Sequence, residues 1–222
     1  MDVHMTGAIV FDLDGTLVDS APDLHAAVNR MLAEHGALPL SLETIIGFIG
    51  NGIPTLVRRV MTARGLPSSQ EAQMIQRMLA HYNAQPADLS RPYDGVVNAL
   101  TTLKQAEYAL GVCTNKTLTP AIRILDALDL SRFFDVVIGG DSLPVTKPDP
   151  APLLAAFAEL GADPALYVGD SEVDAETARR AGIRFGLFAG GYRKTPVEAL
   201  PSTFVFDDFA SLPAQVDALS PA

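Results

Sequence analysis

The apolar positions of this chain follow two rhythms, one typical of buried strands and the other typical of helices. Residues 8–11 form a short continuous apolar run, the pattern of a strand buried on both faces of a parallel sheet. After residue 92 such runs alternate with stretches of helical spacing, which predicts right-handed crossovers and a parallel sheet covered by helices on both faces. We predict strands over residues 8–11, 108–114, 134–138, 165–168, 184–188 and 203–206, and helices over residues 95–107, 119–128, 150–160, 171–181 and from 208 onward.

The segment between the first two predicted strands is different, because it shows helical periodicity throughout. Apolar residues recur at helical spacing over residues 24–32, after a candidate N-cap at Asp19 or Ser20 and before a stop at Gly36. Further helices are predicted over residues 41–49 and 54–62, and after a capping box at residues 68–71. The predicted fold class is therefore α/β, a Rossmann-like parallel-sheet core (residues 1–18 and 91–222) with an inserted all-helical domain (residues 19–90).

Composition and charge limit the classes of function. With 48% hydrophobic and 19% charged residues, the 222-residue chain has the composition of an ordinary globular protein. Its formal net charge of −10 argues against binding nucleic acid or an anionic membrane through a general electrostatic field. An anionic substrate would therefore need a metal ion or a few placed cations that reverse the potential locally.

The expected compartment is the cytoplasm. Cys113 is the single cysteine, which excludes an internal disulfide and suits a reducing environment. The first residues lack the features of a signal peptide, and no apolar run approaches the length of a membrane span. We expect no nucleic-acid or membrane partner, and the sequence leaves a monomer and a homodimer equally open.

Two carboxylates follow the first predicted strand directly. Asp12 and Asp14 are two residues apart, so on an extended backbone they point to the same side, and Gly15 and Thr16 come next. Two anions in one small volume repel unless a cation intervenes, and a hard divalent cation with oxygen ligands meets that need. A carboxylate can also act as a nucleophile. On this short motif alone, two solvated turn residues remain an equal alternative.

Polar residues also follow the other predicted strands, and strand ends share one edge of a parallel sheet. They are Thr114, Asn115, Lys147, Asp170, Ser171 and Asp174. Three carboxylates with backbone oxygens suit Mg²⁺ better than zinc, which prefers His or Cys. Thr114, Lys147 and the amides after Asp12 supply the donors that a phosphoryl group needs. The set predicts phosphoryl transfer to or from an aspartate.

Four separated motifs resemble those of the haloacid dehalogenase-like hydrolase superfamily. They are residues 12–16 (Asp-Leu-Asp-Gly-Thr), Thr114-Asn115, residues 147–150 (Lys-Pro-Asp-Pro) and Gly169-Asp170-Ser171-x-x-Asp174. The resemblance implies that Asp12 is the nucleophile, that Asp14 is the general acid and then the base, and that Thr114 and Lys147 hold the phosphate. It implies Mg²⁺ bound by the Asp12 carboxylate, the Asp14 main-chain carbonyl and Asp170, with Asp174 as an outer or auxiliary ligand. The helical insertion would be the family's cap, which closes over the site.

Other segments are similar to the phosphoglycolate phosphatase subfamily. They are residues 50–52 (Gly-Asn-Gly) with 56–59, residues 91–96, residues 134–141 and residues 190–192. This likeness implies hydrolysis of 2-phosphoglycolate to glycolate and phosphate through an aspartyl-phosphate. The substrate-binding residues expected on this basis are Gly15, Thr16, Asn51, Gly52, Arg58 and Asn115. Residues 143–146 (Leu-Pro-Val-Thr) depart from the more polar, basic turn of relatives.

Several alternatives stay open at this stage. A sugar-phosphate phosphatase or mutase, or a pyrophosphatase, would keep the same core and differ only in the insertion. A non-catalytic phosphate-sensing module belongs to another class, although such a module has no use for Asp14. Arg58, Arg59 and Lys116 also have an ordinary interpretation as solvated surface cations. Selectivity is expected to come from the insertion, because the core motifs read only the phosphate.

Overall fold

A six-stranded parallel sheet forms the centre of the protein in a computed structural model that describes residues 6–84 and 87–219. In chain order the strands are β1 (Gly7–Phe11), β2 (Val18–Asp19), β3 (Arg91–Pro92), β4 (Tyr108–Cys113), β5 (Val136–Ile138), β6 (Pro164–Gly169), β7 (Phe185–Phe188) and β8 (Phe204–Phe206). The order across the sheet is β5-β4-β1-β6-β7-β8. Strands β2 and β3 form a separate antiparallel pair. The first strand therefore lies in the middle of the sheet, as expected for its fully apolar sequence.

Helices fall into two groups along the chain. Between β2 and β3 lie α1 (Ala21–Glu34), α2 (Leu42–Ile46), α3 (Gly52–Arg64) and α4 (Glu71–Ala84). After β3 come α5 (Val96–Gln105), α6 (Leu118–Ala127), α7 (Ala151–Leu160), α8 (Glu172–Ala181) and α9 (Leu212–Asp217). The fold is thus α/β with an all-helical insertion after the first strand, as predicted. Within the described ranges, no helix is long and apolar enough to cross a membrane.

The sheet is buried on both faces, and β1 shows why. Successive side chains of a strand point to opposite faces. Ile9 and Phe11 belong to a buried cluster that continues into the helical insertion, whereas Ala8 and Val10 pack with α7 on the other face. All five residues of β1 are buried. This two-sided burial accounts for the continuous apolar run in the sequence.

Most predicted elements are confirmed to within a few residues, but the cap of α1 and the start of α4 differ. Ser20 occupies the N-cap position of α1, yet its hydroxyl donates to Asp14 Oδ1 at 2.5 Å instead of accepting from the helix. The capping box predicted at residues 68–71 is wrong. Residues 68–70 form a 3₁₀ turn, and the carboxylate of Glu71 pairs with Arg58 at 2.9 Å.

The chain crosses between the core and the insertion twice, and the two crossing segments contact each other in a way that the sequence did not predict. In the β2–β3 pair, Val18 lies opposite Pro92 and Asp19 opposite Arg91. Each strand has only two residues, which is too few for a periodic pattern to show in the sequence. The buried carboxylate of Asp23 accepts hydrogen bonds from the Leu89 and Ser90 main chains and from the Ser90 hydroxyl. Gln85 and Pro86, which come shortly before the predicted end of the insertion at residue 90, lie outside the described residues. The domain boundaries therefore stay a prediction.

Replacing Asp23 by alanine should lower the free energy of unfolding by about 2–4 kcal/mol, because two main-chain donors and one hydroxyl lose a buried acceptor together. Chemical denaturation measures this loss. The control is Asp88→Ala, an exposed carboxylate in the same passage, which should change stability by less than about 0.5 kcal/mol. Equal losses of unfolding free energy in the two variants would contradict the role of Asp23 in joining the two crossing segments.

Candidate active site

The turn after β1 brings two chemical groups to the carboxyl edge of the sheet. The Asp12 main-chain N–H donates to Val168 O at 2.9 Å, which continues the pairing of β1 with β6 beyond the end of β1. Gly15 then turns the chain with φ of +90°, and a Cβ there would lie 2.7 Å from Asp170 Oδ2. Only glycine allows this close approach. The local sequence thus places Asp12 and Asp14 beside the end of β6.

Three buried carboxylates meet at this edge. Asp12, Asp170 and Asp174 each offer an oxygen within 4.8 Å of the others. The carboxylate of Asp170 accepts from the Thr16 hydroxyl at 2.7 Å and from the Tyr192 main-chain N–H at 2.6 Å. These two contacts fix its orientation. The cluster predicted from the sequence therefore exists as a geometric unit.

Asp174 is held by a denser set of contacts than the other two carboxylates. It forms a capping box with Ser171 at the start of α8. Its Oδ1 accepts from Lys147 Nζ and from the Tyr167 hydroxyl, both at 2.7 Å. Because both oxygens are engaged, this geometry favours an auxiliary position for Asp174 beside any metal ion.

Burial and charge shift the titration of these groups in opposite directions. Burial raises the pKa of Asp12 to about 6, although the nearby Lys147 ammonium opposes the shift. Burial and the charge of Asp174 also raise the pKa of Asp170 well above its usual value. Burial alone would raise the pKa of Asp174, but Lys147 and hydrogen bonds from neighbouring hydroxyls lower it instead. Burial would lower the pKa of Lys147, yet the carboxylates of Asp12 and Asp174 outweigh it and raise that pKa.

The cluster fits a divalent cation. Lys147 Nζ lies 2.9 Å from Asp12 Oδ1, but this buried oxygen accepts no hydrogen bond from any residue that the structure describes. Three carboxylates face a single ammonium here, which leaves negative charge uncompensated. Oxygen donors without His or Cys are the set that hard cations such as Mg²⁺ prefer. The residues can therefore hold a metal ion.

Asp14 has its own cation. Lys116 Nζ lies 2.9 and 2.8 Å from the two Asp14 oxygens, and the ring of Tyr82 from α4 covers the ammonium at 4.8 Å. The ordinary interpretation of Lys116 as a solvated lysine is wrong, since its side chain is only 5% exposed. The sequence feature that indicates a role in the site is the position of Lys116 two residues after Thr114, just past the end of β4. Lys116 and Ser20 together hold the Asp14 carboxylate from two sides.

A cleft of about 510 Å³ lies between the strand ends and the insertion. Its walls include most of the predicted site residues together with apolar side chains of the insertion: Asp12, Asp14, Thr114, Asn115, Lys147, Gly52, Ile49, Ile53 and Leu56. The side-chain amide of Asn115 donates to Gly50 O at 3.2 Å and to Lys147 O at 3.0 Å. Asn115 thus links the core to the loop that contains Gly50.

Four of the predicted substrate-binding residues do not line this cleft. The Thr16 hydroxyl is fully buried and donates to Asp170, so Thr16 orients that carboxylate instead. Gly15 packs behind the same carboxylate. Arg58 lies on an exposed face and pairs with Glu71, which keeps its guanidinium away from the cluster. Asn51 lines an adjoining cavity, where its Oδ1 accepts from Arg59 at 2.9 Å.

Two tyrosines of the site have roles that the sequence did not predict. Tyr167 lies within the apolar run of β6, where nothing marked it, and its hydroxyl joins Lys147 to Asp174. Tyr192 follows Gly190-Gly191, and its hydroxyl accepts from Ala21 N at 2.9 Å and donates to Asp19 at 2.5 Å. Through its main-chain N–H and its hydroxyl, Tyr192 connects the acidic cluster to the start of the insertion.

An acidic cluster at the carboxyl edge of a parallel sheet, with helices inserted after the first strand, defines a class of α/β hydrolases. The family model of haloacid dehalogenase-like hydrolases matches residues 9–188, and the chain belongs to this family. A phosphoglycolate phosphatase from Cereibacter sphaeroides is 52% identical over 207 residues, which cover 92% of this chain and 95% of that protein. One from Caulobacter vibrioides is 43% identical over 209 residues, covering 92% and 88%.

The fold comparison agrees. The crystal structure of a predicted phosphoglycolate phosphatase from Haemophilus somnus matches with a TM-score of 0.89 at 32% identity, covering 94% of this chain and 97% of that one. The crystal structure of a haloacid dehalogenase-like hydrolase from Bacteroides fragilis matches with a TM-score of 0.82 at 27% identity, covering 93% and 99%. The similarity therefore extends over both the sheet and the helical insertion.

Replacing Tyr192 by phenylalanine should lower the free energy of unfolding by about 1–3 kcal/mol, because Asp19 and the Ala21 N–H lose a hydrogen-bond partner. Denaturation curves measure the change. The matched control is Tyr108→Phe at the opposite edge of the sheet, where no hydrogen bond of the hydroxyl occurs among the described residues. Similar losses in both variants would show that the Tyr192 hydroxyl is not a link.

Proposed function

We propose that this protein is an Mg²⁺-dependent phosphatase that hydrolyses 2-phosphoglycolate to glycolate and phosphate. The observation that carries the proposal is the pairing of two carboxylates in one cleft with different partners. Asp12 Oδ1 lies 2.9 Å from the Lys147 ammonium, which it shares with Asp174, whereas Asp14 is held by Lys116 and Ser20. The family resemblance assigns nucleophilic attack to Asp12 and proton transfer to Asp14, and the different partners of the two carboxylates agree with separate roles.

In the first step Asp12 attacks the phosphorus atom, and the bond from phosphorus to the ester oxygen breaks. Asp14 gives its proton to the leaving oxygen, which departs as the alcohol. In the second step water attacks the aspartyl-phosphate and Asp14 takes a proton from that water. Phosphate leaves and both carboxylates return to their starting states. Asp14 lies beside the cleft and within reach of Lys116, which keeps its carboxylate in place through both steps.

The remaining residues of the site would stabilise negative charge on the phosphoryl group or hold the metal ion. Lys147 and Thr114 line the cleft and would contact the phosphoryl oxygens, where negative charge spreads as the phosphoryl group is transferred. The Asp12 carboxylate, the Asp14 carbonyl and Asp170 would hold Mg²⁺, with Asp174 in an auxiliary position. Bound Mg²⁺ would neutralise negative charge on the transferring group. Thr16 and Tyr192 orient Asp170 for this purpose.

The substrate is supported by the relatives and by the cleft. The relatives from Cereibacter sphaeroides and Caulobacter vibrioides are named phosphoglycolate phosphatase, and the similarity covers 95% and 88% of their lengths. Contacts between Asn115 and the loop at Gly50 close the cleft on one side, which suits a short ester better than a long one. A small phosphate ester of central metabolism and a single buried thiol both fit a protein of the cytoplasm.

The first test is phosphate release from 2-phosphoglycolate beside sugar phosphates, nucleotides and pyrophosphate, each with Mg²⁺ and with EDTA. We expect a preference for 2-phosphoglycolate that disappears in EDTA. Metal-dependent release from another compound would keep the reaction and replace the substrate. Absence of release from every compound would support the phosphate-sensing alternative.

Replacing Asp12 or Asp14 by asparagine should lower kcat at least about 100-fold, since nucleophilic and acid–base catalysis would be removed in turn. Steady-state kinetics measure the loss, and circular dichroism checks that the fold is kept. Asp163→Asn is the control, because this exposed carboxylate lies at the opposite end of β6. An Asp14→Asn enzyme with normal turnover would sink the acid–base assignment.

A further inference from the structure

Two cations near the site differ from the others in their partners: Lys194, which lines the cavity beside Asp12, and Arg59, which is hydrogen-bonded to Asn51 of that cavity. Lys147 and Lys116 both form ion pairs with aspartates. Arg59 instead donates to two neutral oxygens, Phe48 O at 2.7 Å and Asn51 Oδ1 at 2.9 Å. Lys194 Nζ has a single long contact, 3.5 Å to Ile49 O. Within residues 6–84 and 87–219, neither Arg59 nor Lys194 has a carboxylate within ion-pair distance.

Lys194 shares a space with the proposed nucleophile. It lies in the loop after β7, exposed at the rim, and lines a cavity of about 320 Å³ together with Asp12, Asp14 and Asn51. This cavity adjoins the main cleft, since Asp12 and Gly50 line both. A molecule bound at Asp12 therefore has Lys194 at the border of the same space.

The surroundings of Lys194 contain charges of both signs. Partial burial lowers the pKa of its ammonium, the nearby Arg59 guanidinium lowers it further, and Glu172 acts in the opposite direction. Glu172 lines the same cavity and its Oε2 accepts the main-chain N–H of Lys194 at 3.2 Å, but its carboxylate forms no ion pair with the ammonium in the part of the chain that the structure describes. Two neighbouring cations repel unless an anion lies near both. The arrangement is thus suited to a negative group brought by a ligand.

We propose that Lys194, with the nearby Arg59 guanidinium held by Asn51, binds a second anionic group of the substrate, a carboxylate attached next to the ester carbon. The inference rests on the proposed function for the phosphate end of the substrate. It also changes the source of selectivity. The sequence predicted that selectivity comes only from residues 19–90, whereas Lys194 belongs to the sheet core and meets the insertion at Ile49.

The test uses two phosphonates that the enzyme cannot hydrolyse. One is 3-phosphonopropionate, which carries the carboxylate, and the other is propylphosphonate, which lacks it. Calorimetric titration in Mg²⁺ gives the ratio of the two dissociation constants. The wild-type protein should bind the carboxylate compound about 10-fold more tightly, the effect of one charge-assisted contact.

In Lys194→Met the ratio should fall to about 1, because the ammonium is lost while binding of the phosphonate group is kept. Lys194→Arg should keep most of the preference. The control is Arg30→Met, which removes one exposed positive charge from α1, far along the chain from this loop. Arg30→Met should leave the ratio unchanged.

Two results would overturn the proposal: equal binding of both phosphonates by the wild-type protein, or an undiminished ratio in Lys194→Met. Failure of the proposed function gives a different result, namely no phosphate release from 2-phosphoglycolate by the wild-type protein. The binding ratio remains measurable in that case. The two hypotheses can therefore fail separately.

Discussion

The structure depends on the repulsion among three buried carboxylates at the centre of the sheet edge. Asp12, Asp170 and Asp174 lie within one small volume with a single ammonium, that of Lys147, in contact. The surrounding hydroxyls and main-chain donors are arranged around this charge. Donors from Thr16, Ser171, Tyr167 and Tyr192 satisfy Asp170 and Asp174, whereas the side chain of Asp12 has among the described residues only the Lys147 ammonium, which it shares with Asp174. The carboxylate that is least satisfied is thus the one proposed to react.

The loop after β7 contacts the acidic cluster, the start of the insertion and the cavity beside the cleft. Tyr192 donates its main-chain N–H to Asp170 and uses its hydroxyl to bind Asp19 and Ala21 at the start of the insertion. Two residues later, Lys194 reaches the cavity beside Asp12. Asp23 also accepts a hydrogen bond from the Ser90 main chain, where the chain returns to the core. Both segments that join the core to the insertion are therefore held by hydrogen bonds. The position of the insertion over the cleft is therefore coupled to the position of the buried carboxylate of Asp170.

The sequence predicts the sheet well because burial on both faces leaves a continuous apolar run, and it predicts the acidic residues because they follow such runs directly. It fails where a contact joins distant segments. Lys116 looks like any lysine near a strand end, and only the packing of Tyr82 from α4 shows that it is buried. Arg58 is the converse, a cation in a family-like segment that pairs locally with Glu71. Thr16 follows the motif aspartates, yet the turn at Gly15 directs its hydroxyl to Asp170.

An acidic protein that binds a small anion must concentrate its few cations. Here the cations divide by partner: Lys147 and Lys116 are committed to aspartates, so they compensate the site's own charge before any ligand arrives. Lys194 and Arg59 are bound only to neutral oxygens, so their charge is still available to a ligand. Ile49 O, at 3.5 Å, is a weak competitor for the Lys194 ammonium, because hydrogen bonds of this length contribute little. A substrate carboxylate could therefore take that ammonium without separating the core from the loop at Gly50, which Asn115 holds independently.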